Sequence, residues 1–412
     1  MKKTLRLILI TILILILGGC KTREDNVTVR QLEVGVKSTE SLDKENSTNN
    51  LETKPKVETR EDVEITLGVT GDIMYHPWTF YRNVDSQGNY DFSFFYEKVR
   101  KLTEEFDLMA GNYETTSTPK RKMEGYPLFN TPANSIKQLK ESGFDILTTA
   151  NNHCLDSRAE GISDTIDALD AHGIYTTGTF KDDNRQYLIV EEQGIKIGIL
   201  AYSQMFNGME GALAQEQRDM INPMTEDLMK NDVKALKENV DFLIVFPHWG
   251  EEYSFNPTEF QRNMGKNLLN WGADIVMGSH PHVIQPIEEV DVDGEKKFIF
   301  YSMGNSVSGQ RQEYNGLKEV EAGLIAGLKL KKSFKENKTT LEQLDIHPTW
   351  VMIDKTDGKT KAKVTLIEDY KEGGELYNLV SPDVRNRVLG IGNRSIEILE
   401  SMGYVTGLKG NI

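Results

Sequence analysis

Past an apolar run near its start, the chain repeats one arrangement: a short apolar segment, a polar loop, then a stretch with helical spacing. Residues 64–70 lead into Gly71-Asp72-Ile73-Met74-Tyr75-His76, residues 106–110 into Gly111-Asn112-Tyr113-Glu114, and residues 144–150 into Asn151-Asn152-His153. Residues 241–246 lead into Pro247-His248-Trp249, residues 273–277 into Gly278-Ser279-His280-Pro281-His282, and residues 297–301 into Ser302-Met303-Gly304-Asn305. Short apolar runs bounded by glycine and polar residues read as buried strands. Between them the spacing predicts helices over 135–142, 161–171, 225–238 and 258–270. Gly143 and Gly173 stand as C-caps of the first two. The pair Gln193-Gly194, between the apolar runs 187–190 and 195–202, predicts a hairpin.

Strands alternating with helices predict an α/β domain, its sheet mostly parallel and mixed where hairpins occur. Beyond Asn305 the pattern loosens. Residues 322–330, 344–353 and 362–366 read as strands without helices between them, expected as a second, antiparallel layer. A helix from Pro382 to about residue 402 closes the chain. The α/β domain is assigned to residues 63–325, with residues 326–412 completing it. No internal repeat is present.

The first 62 residues are of another kind. Met1-Lys2-Lys3 and Arg6 precede an apolar stretch from Leu7 to Leu17, then Gly18-Gly19-Cys20. A basic start, a short apolar core and small residues at a cut site describe a secretory signal over residues 1–19. Leu17-Gly18-Gly19-Cys20 resembles the lipobox of bacterial lipoproteins, which implies a lipid on Cys20. The alternatives are a plain cleaved signal or an uncleaved anchor, and each places the rest of the chain outside the cytoplasm. Residues 21–62 are polar and contain no aromatic residue. Such a stretch has too little apolar surface to offset the entropy of ordering. We therefore expect residues 20–62 to be a disordered tether, holding the folded part roughly 35 Å from a membrane.

Composition narrows the function. The 412 residues carry a net charge of −15, against a generic binder of nucleic acid or anionic membrane, whose affinity comes from Lys and Arg. An anionic substrate would need a local attractor, and a bound cation would serve. With Cys20 in the targeting segment, Cys154 is alone in the body and the fold has no intrachain disulfide.

In open α/β sheets the ligand site lies beyond the carboxyl ends of the strands. Five of the seven histidines (His76, His153, His248, His280 and His282) fall at those ends, with Asp72, Glu114, Asn152 and Asn305. In an extended segment residues i and i+2 point the same way, so His280 and His282 are expected to aim at one point, with Pro281 stiffening the spacer. Asp72, Glu114, Asn152, His248, His280 and His282 form a hard-to-borderline ligand set suited to Zn, Mn or Fe. They exceed the needs of one tetrahedral ion, so two divalent metal ions sharing a carboxylate fit better. His76 is either a further ligand or a loop residue. His153 is placed as general acid, and with Asp72 it is expected to carry the catalysis. Asp156 either orients His153 or caps the next helix, the cap being favoured. Glu252 and Asn305 are candidates to orient ligating histidines. Trp249 and Tyr253 either line a substrate groove or pack, and Cys154 is either a soft ligand or a packing residue, packing being favoured for all three; His172 and His347 read as structural, the latter in a turn before Pro348.

Six of these stretches, in order, resemble the motifs of the CapA family of bacterial poly-γ-glutamate capsule synthesis: Gly71-Asp72-Ile73-Met74, Gly111-Asn112-Tyr113-Glu114, Ala150-Asn151-Asn152-His153-Cys154-Leu155-Asp156, His248-Trp249-Gly250-Glu251-Glu252-Tyr253, Gly278-Ser279-His280-Pro281-His282-Val283 and Tyr301-Ser302-Met303-Gly304-Asn305. That family is similar to the calcineurin-like metallophosphatases. The resemblance implies a four-layer α/β/β/α sandwich of mixed sheets. It also implies Asp72 as the first metal ligand, Glu114 in place of a bridging Asp, Asn152-His153 as ligand and catalytic acid, and His248, His280 and His282 as further ligands. The sequence departs from the phosphatases in placing His76 four residues from Asp72, where they have Asp-x-His, and in Glu for Asp at 114. The expected role is a lipid-anchored envelope protein acting hydrolytically on an envelope polymer or a phosphorylated precursor. The other role is a non-catalytic accessory subunit of a membrane poly-γ-glutamate synthase and export complex. Expected partners are the membrane, through Cys20, and the membrane subunits of that synthase; no nucleic acid is expected.

Overall fold

The computed structural model describes residues 28–33, 60–181 and 185–408. In chain order the first part runs β1 (Thr28–Glu33), β2 (Val63–Ile73), α1 (Arg100–Glu105), β3 (Leu108–Tyr113), α2 (Asn134–Glu141), β4 (Ile146–Thr148), α3 (Arg158–Ala171) and β5 (Tyr175–Thr177). Then follow β6 (Gln186–Glu192), β7 (Ile195–Ser203), α4 (Glu226–Lys237), β8 (Phe242–His248), α5 (Glu259–Trp271), β9 (Ile275–Met277), β10 (Ile287–Val292), β11 (Glu295–Phe300) and β12 (Asn305–Val307). The last part holds α6 (Gln312–Asn315), β13 (Ala322–Ser333), β14 (Lys338–Asp354), β15 (Lys361–Leu366) and α7 (Pro382–Leu399).

The strands form two mixed sheets. One has the order β1-β6-β7-β8-β9-β11-β10, the other β15-β14-β13-β2-β3-β4-β5, with β12 pairing β2. In each the central strands are parallel, and antiparallel pairs lie to the side: β6–β7 and β10–β11 in the first, β2–β13–β14–β15 in the second. The two sheets face each other across a shared core. Ile65, Leu67, Val69 and Leu108 from one meet Ile197, Ile199, Ile244 and Ile275 from the other. On the outer faces, Ile136 and Leu139 of α2 and Leu169 of α3 pack against Met109 and Leu147. Val233 and Leu236 of α4 and Leu268 of α5 pack against Leu243, Val245 and Val276. The result is helix, sheet, sheet, helix, because each sheet offers two apolar faces and only one can meet the other sheet.

Three sequence expectations are corrected. The strands after Asn305 do not make a separate layer: β13 pairs β2 and so extends the sheet that holds β2, β3 and β4. Leu324, Ala326 and Leu328 of β13 face the central core while Ile325 faces the outer one, so β13 is buried on both sides and must lie inside a sheet. His347 lies within β14, paired with Ile325. Pro348 is tolerated there because β15 begins pairing only at Thr349, so the missing N–H breaks no ladder. Within the stretch expected to be a tether, Thr28–Glu33 is a strand parallel to β6, for which the β-branched Thr28 and Val29 are suited. The rest of residues 1–59, with the expected signal and Cys20, lies outside the described residues. Among the described residues no helix is long and apolar enough to cross a membrane.

Candidate metal centre

The carboxyl ends of both sheets converge. In register, Asn112 on β3 and Asn305 on β12 lie on either side of Asp72 on β2, and His248 at the end of β8 lies beside Ser279. Two glycines make this approach feasible. A Cβ on Gly71 would stand 2.0 Å from the Gly304 carbonyl oxygen, and one on Gly278 would stand 2.3 Å from that of Tyr301. Gly71 thus lets the turn before Asn305 seat against β2, where the Asp72 N–H donates to the Gly304 carbonyl at 3.0 Å.

His280 and His282 are not extended. Their φ angles are 98° and 57°, a region that non-glycine residues enter at a cost. Their rings therefore do not aim at one point through strand alternation. Each joins a different group: Glu114, His248 and His280 in one, and Asp72, Glu114 and His282 in the other. Within each group the ligand atoms lie within 4.8 Å of one another, and Glu114 belongs to both.

The contacts show what such groups would accept. His248 Nε2 lies 2.8 Å from Asn152 Oδ1, 3.1 Å from His280 Nδ1 and 3.5 Å from Glu114 Oε1. Four atoms rich in lone pairs converge there with too few hydrogens to satisfy them, as a cation would. Glu114 is 0% exposed, and neither of its carboxylate oxygens has a hydrogen-bond partner. A buried carboxylate without a partner is costly, and metal coordination removes that cost. The residues therefore fit divalent metal. Asp72 is held from several sides: Asn112 Nδ2 donates to Oδ1 at 2.8 Å, the His280 N–H to Oδ2 at 3.2 Å, and His282 Nδ1 lies 3.3 Å from Oδ2. Asn305 Oδ1 lies 3.1 Å from His282 Nδ1, an orienting contact of the kind ligating histidines need.

Protonation follows burial. Burial alone would raise Asp72, but His282, His248 and Asn112 outweigh it and hold the carboxyl well below the usual range. Burial, with Asp72 beside it, pushes Glu114 well up. Burial and His280 push His248 well down, and burial and His282 push His280 down to about 3. Both imidazoles are thus held neutral, the form that binds metal.

His153 follows β4 and stands apart from both groups. Its Nδ1 lies 2.7 Å from Asp156 Oδ2, which also accepts the Phe129 N–H at 2.5 Å. Asp156 therefore orients His153 and does not cap α3, whose N-cap is Ser157. His76 belongs to neither group. Its Nδ1 accepts the Gly309 N–H at 3.0 Å, and burial lowers it to about 4. Glu252 is exposed and lies in the wall of a pocket, because the bend after Gly250 carries it outward. That pocket, of about 370 Å³, has His76, His153 and His282 in its lining. Cys154 and Trp249 are buried in packing, and burial pushes the Cys154 thiol up to about 12. His172 is the C-cap of α3. Asn112 and Ser279, which contact the site, lie inside the motif stretches but were given no role from the sequence, and Gln310 lies outside those stretches.

Comparison with known proteins adds the lineage. Two relatives are 29% identical: the PGA biosynthesis protein CapA of Bacillus subtilis strain 168, over 262 residues, and the Capsule biosynthesis protein CapA of Bacillus anthracis, over 266. Each match covers 62% of this chain, and 66% and 62% of those proteins, slightly under two thirds of their length. Among solved structures, the calcineurin-like phosphoesterase YfkN of Bacillus subtilis aligns over 82% of this chain and 98% of its own, at 14% identity and a TM-score of 0.40. The family described as bacterial capsule synthesis protein PGA_cap matches residues 66–310. With the match covering more than half of its length, the chain belongs to the bacterial capsule synthesis PGA_cap family.

Proposed function

We propose that this protein is a metal-dependent hydrolase of capsule synthesis, acting at the cell envelope on a polymer or a phosphorylated precursor. The observation that carries this reading is Glu114, buried, without a hydrogen-bond partner and common to both ligand groups. A carboxylate so placed suits two divalent ions, of Mn, Fe or Zn. Such ions, when bound, polarise the scissile group and lower the pKa of coordinated water.

The chain's own residues supply the rest. Asn112 and the His280 N–H fix the Asp72 carboxylate, and Asn305 fixes the His282 ring. Asn152 adds its carboxamide oxygen beside His248. Asp156 accepts from Nδ1 of His153, which orients the ring and leaves Nε2 to carry the proton delivered to the departing oxygen. Lipid anchoring through Cys20 and association with the membrane subunits of a poly-γ-glutamate synthase belong to the same proposal.

A second reading, an accessory subunit without turnover, is favoured by His76, which belongs to neither ligand group and is engaged by Gly309. Assay of the metal-loaded protein on a chromogenic phosphodiester and on poly-γ-glutamate separates the two. Turnover that falls roughly 10²–10⁴-fold in His153→Ala, with metal content unchanged, supports the hydrolase. Bound metal with no turnover on either substrate supports the subunit.

A further inference from the structure

The pocket over the metal groups has a floor and a rim of different chemistry. The floor presents His76, His153 and His282, and the rim presents Trp78, Tyr126, Tyr253 and Tyr314. Tyr126 is 80% exposed and Tyr314 72%. Large rings left in water at the mouth of a polar site are not there for the core. Between them stand Gln310, Asn315 and Glu252. No lysine or arginine is among the described residues lining the pocket.

This rim is poorly matched to a polyanion. A carboxylate polymer would meet Glu252 and no lysine or arginine, in a protein of net charge −15. It also offers no slot between parallel rings in which a base could be sandwiched. The Trp78 and Tyr314 rings lie 6.1 Å apart at 75° to each other, forming a corner with no parallel slot. A pyranose fits a corner: its C–H face rests on the electron-rich face of one ring, its edge meets the second ring, and its hydroxyls bond to amide and carboxylate groups alongside.

The rim is also tied to the metal groups. Gln310 Nε2 donates to the Tyr253 hydroxyl at 3.4 Å, Asn305 Nδ2 donates to Gln310 Oε1 at 3.2 Å, and Asn305 contacts His282. A Cβ on Gly309 would stand 2.6 Å from Trp78 Nε1 and 2.5 Å from His76 Cβ, so only glycine lets the loop pass this close to both. A sugar seated on the rim would hold its neighbouring bond over the floor. We infer that the aromatic rim is a glycan subsite and that the substrate carries a neutral sugar portion next to the bond that is cut. The second half rests on the hydrolytic reading; the first does not.

Calorimetric titration of the full metal-loaded chain with chitotetraose, cellotetraose and maltotetraose, and on a panel of immobilised neutral glycans, tests it. The same titrations use oligo-γ-glutamate and a single-stranded oligonucleotide. Saturable binding of a neutral glycan, weakened roughly tenfold in Tyr314→Ala and in Trp78→Ala with metal content unchanged, is the expected result. No glycan binding by the wild type, binding undiminished in both variants, or preference for oligo-γ-glutamate or the oligonucleotide overturns it. Glycan binding by a protein that holds no metal would sink the hydrolase and leave the subsite standing.

Discussion

Glu114 joins the two ligand groups, and its environment shows what its side chain is kept for. Buried beside Asp72 without a hydrogen bond, it costs the metal-free protein stability. Glu114→Gln removes a carboxyl group that burial and Asp72 force to stay protonated above its ordinary range, so under chelation at neutral pH the variant should be more stable than wild type by about 1–3 kcal/mol, read by calorimetry, while it loses metal. A chelated variant that melts lower would mean the carboxylate has an unseen partner. Asp156 acts through His153. Asp156→Asn should cut turnover roughly 10²-fold or more and shift the pH profile, with metal content intact; an unshifted profile would leave Asp156 with only a packing role. At this scale the sequence was most legible in residue type. That Asp72, Glu114, Asn152 and the three histidines gather in one place was readable because they all stand at the ends of apolar runs. The left-handed backbone at His280 and His282 was not, since nothing in Gly278-Ser279-His280-Pro281-His282 dictates the bend, and neither was the role of Asn112, which depends on strand register.

Among the elements, local signals placed helices well. The capping box of Thr258 and Gln261 starts α5, and Ser381 followed by Pro382 starts α7. The partner of β13 was not readable, because pairing with β2 joins residues more than 250 apart in sequence and no local pattern encodes it. The closest approach between elements is at Gly71. Gly71→Ala should destabilise the fold by about 1–3 kcal/mol and weaken metal affinity by displacing Asn305 from His282. Urea unfolding and metal titration read the two effects, and unfolding unchanged by the substitution would contradict the approach described here.

At the scale of the whole molecule, two sheets meet so that their carboxyl ends face one site. pH acts away from that site as well. Burial, with Glu375 and Glu368 nearby, raises Asp369 to about 6 from an ordinary 3.8. The unfolded chain gives up this proton at lower pH than the folded one, so ionisation of Asp369 lowers stability as pH rises from about 4 to 6, and the loss persists above. Asp369→Asn should therefore raise Tm above pH 6 and change it little below pH 4. Equal shifts at both ends would assign the effect to packing.

The most direct test of the site is metal content by mass spectrometry of the full chain purified with Mn, Fe or Zn supplied, beside Glu114→Gln and an Asp72→Ala, His280→Ala double variant. About two ions per chain in the wild type, and loss of both when the shared Glu114 carboxylate is removed, is the predicted result. A wild-type protein that retains no metal under any of the three supplementations would contradict the reading of the convergent strand ends as a metal centre.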